Sequence, residues 1–196
     1  MTAHRPLIVG IGGTTGGSSS TETALRIALA GAEARGARTL LFGGEAITAL
    51  PHYDPKASVR TPGEAALVAA VRDASGLILA SPGYHGNVSG VVKNALDLLE
   101  ETARDSRPYL ADLPVGLIAT AYGWQATGST IAALRAIVHA FRGWPTPYAA
   151  AINCRLSRFD ADGTPSEADV AEQLALVGRQ VTDFALRAAV PLDIAS

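Results

Sequence analysis

Short, continuous apolar runs alternate along the chain with longer segments in which apolar residues recur every three or four positions. The runs span 7–11, 39–42, 77–80, 115–119 and, more weakly, 148–152. Because they lack the polar–apolar alternation of a half-exposed strand, they indicate strands buried on both faces. The longer segments have the period of amphipathic helices. This alternation predicts an α/β fold with a parallel sheet, right-handed crossovers and helices on both faces.

Five strands connected in this way have a common arrangement, the order 2-1-3-4-5, in which a ligand binds at the carboxyl ends of strands one and three. Two helix starts are marked in the sequence, because Ser19 with Glu22 and Thr61 with Glu64 each match a capping box. The loops 43–60 and 153–165 are expected to be irregular, and no linker divides the chain. We therefore expect one domain over residues 1–196.

Composition narrows the classes of function. The 196 residues are 48% hydrophobic, with a formal net charge of −2 and no basic block, which disfavours nucleic acid or an anionic membrane as a partner. No apolar run reaches the ~18 residues needed to cross a bilayer. Cys154 is the only cysteine and the 4 histidines are scattered, so neither a disulfide nor a metal site is expected. A cytoplasmic protein is the natural expectation.

The segment after strand one is built entirely from Gly, Ser and Thr between positions 12 and 21, and a helix follows it. Glycines let a ligand approach the backbone, while hydroxyls and the free N–H groups of a helix N-terminus are neutral donors. A P-loop is excluded because Ser18 stands where its lysine belongs, and a dinucleotide fingerprint is disfavoured because Thr15 replaces its third glycine. A phosphate monoester fits this loop best. For Ser19 alone, a helix cap without a ligand is an equal alternative.

The loop after strand three reads Ser-Pro-Gly-Tyr-His-Gly at 81–86 and continues to Gly90 and to Lys-Asn-Ala-Leu-Asp at 93–97. It resembles the motif of the NADPH-dependent FMN reductase family, usually Ser-Pro-Glu-Tyr-(Asn or His)-Gly, a short spacer, then Gly-x-Leu-Lys-Asn-Ala-(Ile or Leu)-Asp. The first loop also resembles that family's Gly-Ser-x-Arg-x-x-Ser pattern. The resemblance implies a flavodoxin-like three-layer sandwich around a five-stranded parallel sheet.

The resemblance also implies which residues hold the cofactor FMN. The first loop is implied to bind the phosphate, at the positions Thr14, Gly16, Ser19, Ser20 and Thr21. The isoalloxazine ring is wrapped, largely by backbone N–H groups, at Pro82, Gly83, Tyr84, His85 and Gly86. A third loop approaches the pyrimidine side of the ring at Ala121, Tyr122, Gly123 and Trp124. No catalytic side chain is implied, because flavin N5 does the chemistry.

Two positions depart from the family pattern. Gly16 stands where the family has arginine, so a charge-assisted contact of about 1.5–3 kcal/mol with the phosphate is missing. We expect weaker FMN binding unless the extra hydroxyls compensate. Gly83 replaces the family's glutamate, and the loss of that side chain is expected to let the flavin loop flex.

The implied activity is hydride transfer from NADPH to FMN, and from there to free flavin, a quinone or another small-molecule electron acceptor. A flavin-dependent monooxygenase is a further candidate recipient. Relatives are homodimers or homotetramers, so an oligomer is implied. Three alternatives stay open: a flavodoxin-type electron carrier, a tailoring flavoenzyme of specialised metabolism, and a binding module of this fold without flavin.

Overall fold

The strands form a central parallel sheet in the computed structural model, which describes residues 5–16 and 19–188. Its five long strands lie in the order β2-β1-β3-β5-β6. Their bounds are β1 (Leu7–Gly12), β2 (Arg38–Phe42), β3 (Gly76–Tyr84), β5 (Pro114–Ala121) and β6 (Trp144–Asn153). With the strands counted as the sequence predicted them, this is the order 2-1-3-4-5, and the flavodoxin-like topology is confirmed.

Helices cover both faces of the sheet. They are α1 (Ser20–Ala34), α2 (Gly44–Thr48), α3 (Pro62–Asp73), α4 (Gly90–Asp97), α5 (Trp124–Ala140) and α6 (Ala168–Ala188), with a 3-10 helix (Leu98–Thr102) after α4. Helices α1 and α6 bury their apolar faces on one side of the sheet, and α3, α4 and α5 do so on the other. No helix in 5–16 and 19–188 is both long and apolar enough to span a membrane.

A short antiparallel strand, β4 (Asn87–Val88), was not predicted. It pairs with the end of β3, so that Gly83 faces Val88 and Tyr84 faces Asn87. The two residues between the strands, His85 and Gly86, have φ angles of 53° and 79°. Positive φ at both central positions defines the tight type I′ hairpin turn, and histidine is among the few residues enriched there. The second predicted ligand loop is therefore a β-hairpin.

The two predicted capping boxes differ in outcome. Thr61 and Glu64 form a complete box: the Thr61 hydroxyl accepts from the Glu64 N–H, and the Glu64 carboxylate accepts from the Thr61 N–H at 2.7 Å. The box at Ser19 was wrong in one half, because only the bond from the Glu22 N–H to the Ser19 hydroxyl forms. The Glu22 carboxylate accepts instead from the Gly44 N–H at 2.7 Å. Helix α2, inside the loop predicted to be irregular, brings that N–H close.

Candidate functional site

A cavity of about 910 Å³ opens at the carboxyl ends of β1, β3 and β5. This is the switch point of the sheet, where connections leave neighbouring strands in opposite directions. Every predicted site residue lines the cavity except Gly16 and Trp124. Those that line it are Thr14, Ser19, Ser20, Thr21, Pro82, Gly83, Tyr84, His85, Gly86, Ala121, Tyr122 and Gly123. Three segments far apart in sequence thus meet at one place.

The first loop makes one end of the cavity from close backbone contacts. A Cβ at Gly12 would overlap the carbonyl oxygen of Ala80, and one at Gly13 would lie 2.5 Å from the Gly44 nitrogen. Only glycine lets the chain turn here between β3 and α2. The turn delivers the N-terminus of α1 to the cavity, where free N–H groups and the helix dipole favour an anion. Gly17 and Ser18 lie outside the described residues.

Charge at this end comes from the helix and not from a basic side chain. No lysine or arginine lines the cavity in the described part of the chain. Glu22 lies in the first turn of α1, but its carboxylate is bonded to Arg26 at 2.6 Å and to the Gly44 N–H. Both contacts reduce its repulsion of a bound anion. Gly16 is exposed beside this end, and its N–H donates to the Thr14 hydroxyl at 3.3 Å.

The hairpin at the other end is held in place by Ser81. The buried Ser81 hydroxyl accepts from the Ser89 N–H at 2.9 Å and donates to the Pro82 carbonyl at 2.9 Å. The first bond joins the two ends of the hairpin, because Ser81 precedes it and Ser89 caps α4. Its backbone is therefore fixed before any ligand arrives, which is the preorganisation that a ring site requires.

Gly83 does not loosen this hairpin as the sequence suggested. A Cβ at position 83 would lie 2.7 Å from the Thr130 hydroxyl oxygen and 3.1 Å from the Ala126 carbonyl oxygen. Helix α5 therefore packs directly on the hairpin backbone, closer than any larger residue would allow. The expectation of a flexing loop is corrected on these contacts: the glycine admits the helix.

Exposed aromatic side chains border the open face of the cavity. Tyr84 is 57% exposed and Tyr122 is 74% exposed, although both line the cavity. Aromatic rings exposed at the mouth of a cavity are available to contact a flat ligand or a partner. Trp124 is also exposed, but it begins α5 outside the cavity wall.

Five lining residues were missed by sequence reasoning: Thr120, Gln125, Ala126, Ser129 and Cys154. Three of them lie on the first two turns of α5, which reach the cavity because α5 packs so closely on the hairpin. Thr120 lies one residue past the predicted end of its strand. Burial raises the pKa of the Cys154 thiol, and a hydrogen bond with Ser20 only partly offsets this. Cys154 is thus a neutral thiol at neutral pH.

The Thr120 hydroxyl oxygen lies 2.6 Å from that of Thr21, and both residues are buried. This bond joins the first loop to the third across the floor of the cavity.

The residues present fit FMN. The volume is within the usual range for small-molecule and cofactor sites. One end offers a helix N-terminus with hydroxyls, which suits a phosphate monoester. The other end offers a fixed hairpin backbone next to aromatic rings, which suits a flat ring system. No three His, Cys, Asp or Glu side chains within 5–16 and 19–188 are grouped to hold a metal ion.

Comparison with known proteins gives the family. The model of the NADPH-dependent FMN reductases matches residues 6–155. The chain belongs to this family. The resemblance that the sequence indicated is thereby confirmed at the level of the family.

Individual relatives are similar to this chain in part of the sequence or in fold. An FMN-dependent NADPH-azoreductase of Staphylococcus aureus is 39% identical over 71 residues, which cover 36% of this chain and only 34% of that protein. A flavoenzyme NAD(P)H:(acceptor) oxidoreductase from Paracoccus denitrificans superimposes with a TM-score of 0.72 at 20% identity, over 93% of this chain and 98% of the other. A flavodoxin-type protein from Agrobacterium tumefaciens superimposes with a TM-score of 0.63 at 17% identity, over 93% and 98%.

Proposed function

We propose that this chain binds FMN across the cavity and passes hydride equivalents from NADPH to a small-molecule acceptor. The phosphate would lie at the first loop, near Ser19 and Ser20, and the ring against the hairpin and the third loop. The observation that carries this proposal is the meeting of an anion-binding helix end and a fixed hairpin backbone in one cavity. Bound there, FMN would supply the redox chemistry by taking up hydride at N5.

The chain's own contribution is position and electrostatics. The N–H groups of the hairpin and of the third loop are held rigidly by Ser81 and by β5, so they can stabilise negative charge on the ring without moving. Tyr84 and Tyr122 flank the open face, where a nicotinamide and then an acceptor can enter in turn. No side-chain nucleophile or acid is needed for this exchange.

The acceptor we propose is a planar compound such as free flavin, a quinone or an azo compound. An open cavity bordered by exposed aromatic rings supports a diffusible planar acceptor. A net charge of −2 offers little electrostatic steering for a protein partner, so the flavodoxin-type carrier is less favoured. A flavin-dependent monooxygenase would receive reduced flavin by diffusion.

We further propose that the chain acts in the cytoplasm as a single domain that assembles into a homodimer or homotetramer. The exposed Trp124, which follows the third loop but is not part of the cavity wall, supports an assembly near the flavin. Sedimentation at micromolar concentration tests it, and a monomer alone would contradict it.

The deciding experiment combines FMN titration with steady-state oxidation of NADPH and NADH, using FMN, a naphthoquinone and an azo dye as acceptors. We expect FMN to bind and to be needed for turnover with every acceptor. Tyr122→Ala should raise KM for acceptors, whereas Trp144→Ala, a change at another exposed aromatic residue outside the cavity wall, should not. Absence of FMN binding at tens of micromolar would overturn the proposal.

A further inference from the structure

The amino end of the sheet carries an aromatic surface that the proposed function does not use. It forms where the segment 109–113 meets the turn 141–144 between α5 and β6, and the Trp144 N–H donates to the Leu113 carbonyl there at 2.8 Å. Strands β5 and β6 begin here, so the length of β5, about 26 Å, separates this surface from the cavity at their carboxyl ends. We call it the amino-end surface; its exposed and partly exposed members are Tyr109, Asp112, Phe141, Arg142 and Trp144.

Aromatic rings and one guanidinium form the apolar part of the amino-end surface. Trp144 is 57% exposed. The ring centroids of Tyr109 and Phe141 lie 5.6 Å apart, and the Arg142 guanidinium lies over the Tyr109 ring at 5.5 Å from its centroid. Tryptophan, tyrosine and arginine are the residue types that most often carry the binding energy of protein interfaces. The composition therefore favours a surface that binds another protein chain.

The backbone of the same surface is strained at residues that are not glycine. Tyr109, Asp112 and Arg142 have φ angles of 54°, 64° and 64°, and the only other non-glycine residue with positive φ in the described part of the chain is His85. Arg142 follows Phe141, the cap residue of α5, at a position where helices commonly have glycine. Aspartate tolerates this conformation, but tyrosine and arginine adopt it at a cost in free energy. Such strain indicates that the side chains themselves are needed here.

The amino-end surface carries an exposed charge of each sign. Arg142 and Asp112 are both exposed, and within residues 5–16 and 19–188 neither forms an ion pair. A surface of one sign would repel its own copy. A surface with one cation and one anion can instead pair with a copy of itself across a two-fold axis, because each Arg142 then meets Asp112 of the partner subunit. The charges therefore favour a second copy of this chain as the occupant.

We infer that the amino-end surface is an isologous interface between two copies of this chain. Trp144 and Tyr109 fill its centre, and two contacts between Arg142 and Asp112 set its register. The interface is separate from the assembly proposed next to Trp124, because Trp124 begins α5 and this surface follows the end of α5. Two separate isologous interfaces on one chain build a tetramer, so this surface favours the homotetramer over the homodimer. Bound flavin has no part in it.

Sedimentation velocity of the full chain over about 0.1–100 μM measures the association. The variants are Arg142→Asp, Asp112→Arg, the double variant that combines them, and Trp144→Ala. Arg38→Asp is the matched control, because Arg38 is exposed at the start of β2, at the opposite edge of the sheet, and forms no ion pair among the described residues. FMN titration by fluorescence quenching shows in parallel whether each variant is folded.

We expect each single charge reversal to halve the mass of the assembly, because it places like charges opposite one another twice in the interface. The dissociation constant of this step should rise about tenfold or more. The double variant exchanges the two charges and should associate more tightly than either single variant. Trp144→Ala should also halve the mass, and Arg38→Asp should assemble like wild type. All variants should bind FMN as wild type does, because the cavity lies at the other end of the sheet.

Two results would overturn the inference from the variants alone. Wild-type mass in both single reversals would mean that these charges face solvent in the assembly. A double variant no tighter than the single ones would mean that Arg142 and Asp112 do not meet. A monomeric wild type that binds FMN would overturn the interface and leave the proposed function intact. A wild type that assembles as expected but does not bind FMN would overturn the proposed function alone.

Discussion

The contact between Gly83 and helix α5 makes a sharp prediction for stability. Gly83→Ala would place its Cβ 2.7 Å from the Thr130 hydroxyl oxygen, 3.1 Å from the Ala126 carbonyl oxygen and 3.2 Å from the Ala121 Cβ. Overpacking of this kind costs about 1–3 kcal/mol. Gly83 does not have a positive φ, so alanine can adopt its backbone and regains about 0.4–1 kcal/mol by restricting the unfolded chain. The net loss of unfolding free energy should be about 0–2.6 kcal/mol.

Position 130 allows the cause to be isolated. Thr130→Ala removes the nearest atom, the hydroxyl that donates to the Ala126 carbonyl within the helix. Thr130→Val replaces that hydroxyl by a methyl group and keeps the space closed. In the Thr130→Ala background, Gly83→Ala should cost little or should stabilise, whereas in the Thr130→Val background it should cost at least as much as in wild type.

Urea unfolding of the apoprotein measures these differences from midpoints at a constant slope. A coupling of about 1 kcal/mol or more between Gly83→Ala and Thr130→Ala is expected. Effects that add to within about 0.5 kcal/mol in both backgrounds would refute the packing argument, because independent sites behave in that way. The flexible-loop alternative would then regain support.

Three further predictions use other positions. Gly16→Arg has room, since only the Thr14 hydroxyl lies near its Cβ, at 3.8 Å. It should tighten FMN binding about fivefold or more and leave riboflavin binding unchanged. Gly16→Gln should change the binding of neither flavin, and equal effects of the two substitutions on FMN would contradict a role for charge. Gly128 lies inside helix α5, and a Cβ added there would have no atom within 4 Å. Because alanine is the better helix former, Gly128→Ala should raise the unfolding free energy in urea by about 0.5–1 kcal/mol, and a lower unfolding free energy would contradict the open surroundings. The bond donated by the Thr61 N–H holds the pKa of Glu64 below its usual value, so its stabilisation is complete above that value and is lost as pH falls through the lowered pKa. Glu64→Gln should therefore lower the unfolding free energy in urea by about 1 kcal/mol at pH 7, and this loss should shrink as pH falls through the lowered pKa; a loss independent of pH would refute it.

The sheet and its ligand edge were predictable because they follow from local patterns. Buried parallel strands are continuous apolar runs, and their order follows from the alternation with helices. Glycine and hydroxyl residues placed directly after a strand mark a close backbone approach wherever that strand ends. These signals need no partner from elsewhere in the chain.

The features that sequence missed depend on partners distant in the chain. The Thr21 hydroxyl bonds to a residue 99 positions away. Glu22 matches the capping-box pattern in sequence, but its carboxylate accepts a hydrogen bond from the Gly44 N–H instead. The hairpin has a two-residue strand, too short for any periodicity, and only the positive φ of His85 and Gly86 reveals it. From sequence, Gly83 indicates only the loss of a side chain, because its close contact with α5 depends on a helix more than 40 residues further along the chain.

Neutral donors at the phosphate end have a consequence for how the flavin is used. Neutral hydrogen bonds contribute about 0.5–1.5 kcal/mol each, against about 1.5–3 for charge-assisted ones. We therefore expect a site that lacks the family's arginine at Gly16 to hold FMN more weakly, and weaker binding mostly means faster release. Faster release suits an enzyme whose acceptor is free flavin, because the reduced flavin must leave to act elsewhere. If Gly16→Arg tightens FMN and slows turnover with free flavin but not with a quinone, flavin exchange is part of the activity.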